Sequence, residues 1–96
     1  MITVIARWVA GEGRGEEVAA LLGQVALASR AEKGCVSYQP LRHTANENAF
    51  AIYEQYLDEA AFEDHRNSSH FQETVIAKIL PLLIERYVDV YRNFEL

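Results

Sequence analysis

His65, Glu54 and Tyr56 are the side chains of this sequence best suited to moving protons. An imidazole titrates near neutrality and is the usual proton carrier. His65 follows Ala61 and Phe62 on one helical stripe, so it is expected to face inward. Glu54 alternates with Phe50, Ile52 and Tyr56, which sets a carboxylate on an apolar strand face. Such a group must be partnered, or its pKa is pushed upward. It can serve as a base, orient His65, or make only a structural hydrogen bond. Tyr56 on the same face can bind or protonate a substrate oxygen, or simply form a wall. Trp8 shares a strand face with Ile2, Val4 and Ala6, where it stacks on an aromatic substrate or packs the core. Tyr38, alternating with Val36 and Pro40, is a candidate to line the same pocket. His70, just before Phe71 at a helix start, either sits at the pocket mouth or is exposed.

Other chemistries are disfavoured. His65 and His70 are five residues apart, about 140° around an ideal helix, and a break intervenes; that is not the i, i+4 pair of zinc sites, so no metal is expected. Cys35 is the only cysteine, which precludes an internal disulfide and fits a reducing cytoplasm. It has no Cys or His nearby in sequence and reads as a small packing residue rather than a nucleophile. Gly11, Gly13 and Gly15 lack the pattern of a dinucleotide fingerprint. The formal net charge is −5 and the pI about 5.1, so nothing electrostatic favours nucleic acid or an anionic membrane. No stretch reaches the roughly 18 apolar residues of a membrane span.

The elements that must position these groups read as β-α-β-β-α-β in a single domain over 1–96. Met1 to Ala10 is a strand, broken by the glycines that follow. Val18, Leu21, Leu22, Val25 and Ala28 form the stripe of an amphipathic helix, with Glu16 and Glu17 in its first turn and Gly34 as its closing glycine. Cys35 to His43 and Ala49 to Leu57 make a hairpin around a polar turn. Asp58 should cap a short helix carrying His65, and Ser69 with Gln72 has the spacing of a capping box for a second piece ending at Pro81. Glu85 to Glu95 is the last strand.

Both faces of the strands are apolar. Ile5 and Val9 oppose the Trp8 side of strand one, and Ala51, Tyr53 and Leu57 oppose the Glu54 side of strand three. Arg7 points to that second face, where an ion pair at an interface would suit it. One layer of helices covers only one face, so a second copy is expected on the other, sheet against sheet.

Four ordered segments resemble the antibiotic biosynthesis monooxygenase family: Gly34-Cys35-Val36-Ser37-Tyr38, Phe50 to Tyr56, Asp58-Glu59-Ala60-Ala61-Phe62, and His65 with Ser68-Ser69-His70-Phe71. The resemblance implies a ferredoxin-like α+β fold, a four-stranded antiparallel sheet and a dimeric α/β barrel. Strand three also looks like the branch that isomerises autoinducer-2 phosphate. The haem-degrading branch uses an asparagine and a tryptophan where this sequence has Trp8 and Tyr56, which speaks against haem breakdown. The family is functionally mixed, and fold alone does not choose. Three readings follow. The first is a cofactor-independent monooxygenase of a small phenol or quinol. The second is an isomerase of a small hydroxy-ketone, with Arg42, Arg66 or Lys78 meeting its phosphate. The third is a non-catalytic small-molecule binding dimer.

Overall fold

A computed structural model describes all residues, Met1–Leu96. The strands are β1 (Ile2–Ala10), β2 (Cys35–Arg42), β3 (Ala49–Tyr56) and β4 (Leu83–Arg92). They form one antiparallel sheet in the order β2-β3-β1-β4. Helices α1 (Gly15–Arg30) and α2 (Glu59–Arg66), a π-helical segment (Phe71–Ile79) and a 3-10 turn (Leu80–Leu82) complete the chain. This is the expected ferredoxin-like α+β arrangement.

Period-2 alternation sorts the sheet into two faces. On the helix side, Val4, Ala6, Trp8, Ile52, Glu54 and Tyr56 are buried. Val18, Leu22 and Val25 of α1 and Val75 and Ile79 of the π-helical segment close over them. On the other side Ile5 is paired with Tyr53, and each is 40% exposed. Leu41, Tyr87 and Tyr91 continue this open apolar face. Arg7 lies there, on the face expected for it, over the ring of Tyr87, 5.6 Å from its centre.

Local chemistry explains the element ends, with four departures from expectation. Asp58 does cap α2, its Oδ1 accepting from the Ala61 backbone N–H at 2.8 Å. The next piece is capped by Ser68, not Ser69: Ser68 Oγ accepts from the Phe71 N–H, while the Gln72 amide turns back to the Arg66 carbonyl. That piece winds with i→i+5 bonds, such as Leu80 N–H to Val75 O, and it aims Phe71, Val75 and Ile79 at the sheet. Because the 3-10 turn around Pro81 leads straight into the sheet, β4 begins at Leu83 and ends at Arg92, earlier than predicted.

Gly34 does not close α1. The helix ends at Arg30 with Ala31 as its cap, and only Gly13 has positive φ. Gly34 is instead a point of close approach, where an added Cβ would lie 2.3 Å from the Ala61 Cβ. Gly34→Ala should therefore force α2 away from the hairpin, costing about 1–3 kcal/mol. A urea midpoint unchanged from wild type would refute this.

The fourth departure concerns β2. Cys35 pairs with Tyr56 but Ser37 pairs with Gln55, so Val36 is the extra residue of a β-bulge. Tyr38 therefore turns to the buried face, whereas Val36 stays 48% exposed. Their predicted common face does not exist.

Candidate functional site

Neighbouring strands bring the acidic and phenolic groups together. Glu54 of β3 stands beside Tyr38 of β2 and Val4 of β1, and Tyr56 lies two residues along the same face. α2 crosses above and inserts His65, which is 2% exposed. The imidazole packs among Tyr38, Tyr56 and Phe71, with ring centres 5.8, 5.1 and 5.3 Å away. The Tyr56 hydroxyl donates to Glu54 Oε1 at 2.6 Å, and His65 Nε2 lies 3.8 Å from the same oxygen.

This is not a charged pair. Burial lowers the pKa of His65, outweighing the hydrogen bond to Glu32 that would raise it. Burial likewise pushes Glu54 up to about 7, against the Tyr56 hydrogen bond that favours its ionised form. At 3.8 Å the imidazole and carboxylate are beyond direct hydrogen-bond reach. His65 is thus held neutral, while Glu54 is divided between its protonated and ionised forms near neutral pH. Tyr38 and Tyr56 are raised above the usual phenol range, first by burial and then by the Glu54 charge, so they remain proton donors. Burial also raises the Cys35 thiol to about 11, which leaves it a poor nucleophile, as expected.

A cavity of about 140 Å³ opens between this cluster, the π-helical segment and β4. Its walls are apolar (Val4, Ala6, Phe62, Phe71, Val75, Val88), and Trp8, Tyr38, Glu54 and His65 reach it. Trp8 Nε1 is buried without an acceptor, which leaves one donor uncommitted on a side chain that lines the cavity. Arg66 and Arg86 complete the lining. A wider concavity of about 520 Å³ lies at the strand ends, where Arg7, Leu41 and Tyr87 form part of it, but it holds neither Glu54 nor His65.

Four of the six expected site residues therefore line the cavity, His65, Glu54, Trp8 and Tyr38, and Tyr56 joins them only through its hydrogen bond to Glu54. His70 does not line the cavity. It is neither at the pocket mouth nor fully exposed, but turns back to bond Glu32 Oε2 from the far side of His65. The expectation that His65 and His70 diverge took the intervening break as a further separation. The break at Asn67–Ser69 instead brings their rings to 5.9 Å. Glu32 is the polar partner that sequence reasoning missed, since it sits in the turn after α1 with nothing local to mark it. Of the phosphate-binding candidates only Arg66 reaches the cavity; Arg42 is held by Glu16 and the Glu47 carbonyl.

Beneath its helices, this ferredoxin-like sheet sets a carboxylate, an imidazole and one phenol at the wall of an apolar cavity, with a second phenol bonded to the carboxylate. Known proteins carry the same frame. The family profile described as antibiotic biosynthesis monooxygenase matches residues 1–76, and the chain belongs to that family. It is 33% identical over 70 residues to Rv0793 of Mycobacterium tuberculosis, provisionally named a monooxygenase, covering 73% of this chain and 68% of the relative. The structure of Rv0793 superposes with a TM-score of 0.90 at 27% identity, over 98% of this chain and 95% of that one. PA3566 from Pseudomonas aeruginosa superposes with a TM-score of 0.90 at 30% identity, over 98% and 94%. YcnE of Bacillus subtilis, also provisionally named a monooxygenase, is 41% identical over 44 residues, 46% of each chain.

Proposed function

We propose that the protein is a monooxygenase that oxidises a small phenol or quinol without a bound cofactor, using Glu54 as its base. The observation that carries this reading is a carboxylate with a pKa raised to about 7 at the wall of an apolar cavity. A base poised near the working pH is the most effective at removing a weakly acidic proton. Once deprotonated, an electron-rich ring can itself reduce oxygen. One oxygen atom is inserted at a ring carbon and the other leaves as water with the two hydroxyl hydrogens of the quinol, giving a hydroxyquinone.

Each residue has a part in that scheme. Glu54 takes the first phenolic proton, and Tyr56 steadies the carboxylate through its hydrogen bond. Tyr38 and the uncommitted Trp8 N–H supply donors for oxygen anions. Neutral His65 borders the carboxylate and can exchange a proton with it after a small approach. The cavity volume limits the substrate: an engineered apolar cavity of about 150 Å³ holds one benzene ring. A space of about 140 Å³ therefore suits a single ring better than a fused polycycle.

The open face of the sheet supports pairing with a second copy. Ile5, Leu41, Tyr53, Tyr87 and Tyr91 together form an apolar surface that a lone four-stranded sheet would leave wet. The isomerase reading draws support from Arg66 and Arg86 at the cavity, which would suit an anionic substrate.

Oxygen uptake decides between them. Chelator-treated protein given monocyclic hydroquinones, with no flavin and no metal, should consume one oxygen per quinol and release a hydroxyquinone. Flat traces across such a panel would overturn the proposal. Turnover of a phosphorylated hydroxy-ketone that persists without oxygen would favour the isomerase.

A further inference from the structure

On the side of His65 away from the cavity, its Nδ1 faces two side chains, Glu32 and His70, that the proposed reaction leaves unused. Glu32 lies in the turn between α1 and β2, His65 at the end of α2, and His70 just before the π-helical segment. Glu32 Oε2 bonds His65 Nδ1 at 2.9 Å and His70 Nε2 at 2.5 Å, and all three donor atoms lie within 4.8 Å of one another. The second carboxylate oxygen, Glu32 Oε1, is buried and has no hydrogen-bond partner. A buried carboxylate oxygen without a partner is costly and calls for an explanation. Here it is the spare acceptor of a cluster whose other members are two imidazoles.

We infer that Glu32, His65 and His70 form a binding site for one divalent transition-metal ion of the zinc type. Two imidazole nitrogens and a carboxylate are the donor set such borderline ions favour. Coordination near 2.1 Å in a tetrahedron would separate ligand atoms by roughly 3.4 Å. Glu32 Oε2 thus needs to part from each imidazole nitrogen by less than about 1 Å, the two nitrogens, within 4.8 Å of each other, need to close by at most about 1.4 Å, and the unpartnered oxygen offers a second point of attachment. The outer surroundings also fit. A metal-bound histidine usually has a carboxylate or carbonyl opposite its other ring nitrogen, and Glu54 is the carboxylate on that side of His65, at 3.8 Å from Nε2 a small approach short of a hydrogen bond. An ion has a route in, because the Glu32 and His70 side chains are 16% and 20% exposed. Three protein ligands leave a position for water. Neither Glu32 nor His70 lines the cavity, so the ion would sit behind the proposed reaction site, and the inference does not depend on that reaction.

The test uses the full chain without a histidine tag, stripped by chelation, and titrated with Co²⁺ and then Zn²⁺ in the absence of any substrate. One equivalent of Co²⁺ per chain should bind with the intense visible absorption of four- or five-coordinate cobalt, and Zn²⁺ should displace it. Zn²⁺ should also raise the melting temperature, since it binds the folded chain alone. Losing even an outer partner of a metal ligand costs about 10- to 100-fold in affinity, so Glu32→Gln and His70→Ala should each weaken binding by at least that much. His43, the third histidine, is exposed and bonds only its own turn, so His43→Ala should bind like wild type. His70 is partly exposed, so its alanine variant keeps the test valid should Glu32→Gln misfold. Absence of stoichiometric binding, or binding that survives both Glu32→Gln and His70→Ala, would overturn the inference.

Discussion

Glu54→Gln should yield a protein that is nearly inactive and, above neutral pH, more stable than wild type. The two effects share one cause. In the unfolded chain Glu54 ionises near 4.5, and in the folded protein near 7. Between these values the folded state still holds a proton that the unfolded state has released. Stability therefore falls as pH rises through that window and levels off above about 7. Glutamine has the shape of the protonated acid and never ionises, so it escapes this loss. Its amide oxygen can still accept from the Tyr56 hydroxyl, which preserves the local geometry. At pH 4 the two proteins should be about equally stable. At pH 8 the variant should lead by on the order of 3 kcal/mol, the equivalent of the pKa displacement. His65 titrates in the opposite sense, because its folded pKa is lowered and the unfolded chain binds the extra proton below about 6.5. That contribution is common to both proteins and cancels in their difference. Denaturant midpoints across pH 4–9, on chelator-treated protein, measure this. Under the proposed reaction the same variant should lose about 10²- to 10⁴-fold in hydroquinone oxidation, the usual contribution of a positioned base. The wild-type rate should climb with pH through about 7, and the variant's should not. A stability difference that does not change with pH would contradict a buried Glu54 that titrates near 7 in the folded protein. An undiminished rate would remove it as the base.

The contrast between Glu54 and Glu32 shows what a sequence of this kind makes legible. Glu54 was readable because a strand repeats every two residues: three apolar neighbours at that period fix which way the carboxylate points. His65 was readable for the same reason on a helix, and Asp58 because capping is local chemistry. Glu32 meets its partners only across 33 and 38 residues of chain, and no period links a turn residue to them. Its own setting, between Ala31 and Lys33, looks like the frayed end of a helix. Two irregularities hid the rest. The extra residue at Val36 reverses the register of β2, and with it the side chains that share Tyr38's face. The break before Phe71 swings His70 through an angle that helical geometry cannot supply. Regular elements carry their faces in their periods; a bulge or a break resets the count, and the metal-type cluster is built where the count was reset.

The two-sided sheet makes the second large prediction, and it concerns adjacent residues. Ile52 and Tyr53 follow one another on β3 and point to opposite faces; Ile52 is wholly buried under the helices, while Tyr53 is 40% exposed. Ile52→Ala empties a space in the core that Ile52 shares with the α1 and π-helical side chains, and the surrounding helices cannot collapse fully into it. Such truncations cost about 2–5 kcal/mol. A chain of this length has a total stability of roughly 5–14 kcal/mol, so the variant should lose a large share and melt at least about 10 °C lower. Tyr53→Glu should behave differently. Within one chain it replaces a half-exposed ring and should change the fold's own stability by no more than about 1 kcal/mol. Across a two-fold interface the same substitution appears twice, so two carboxylates are brought near the apolar patch around Ile5. Pairing should fail, and with it any dependence of the melting temperature on protein concentration. Sedimentation velocity and melts at two concentrations separate the cases: Ile52→Ala should be less stable but still self-associating wherever it is folded, and Tyr53→Glu folded but monomeric. If Tyr53→Glu sediments as wild type does, the open face is not where a second copy binds. If Ile52→Ala melts with wild type, the helix side is not the core. Either result would contradict the two faces that alternation along β3 assigns, because the two residues are neighbours that differ in which side of one strand they occupy.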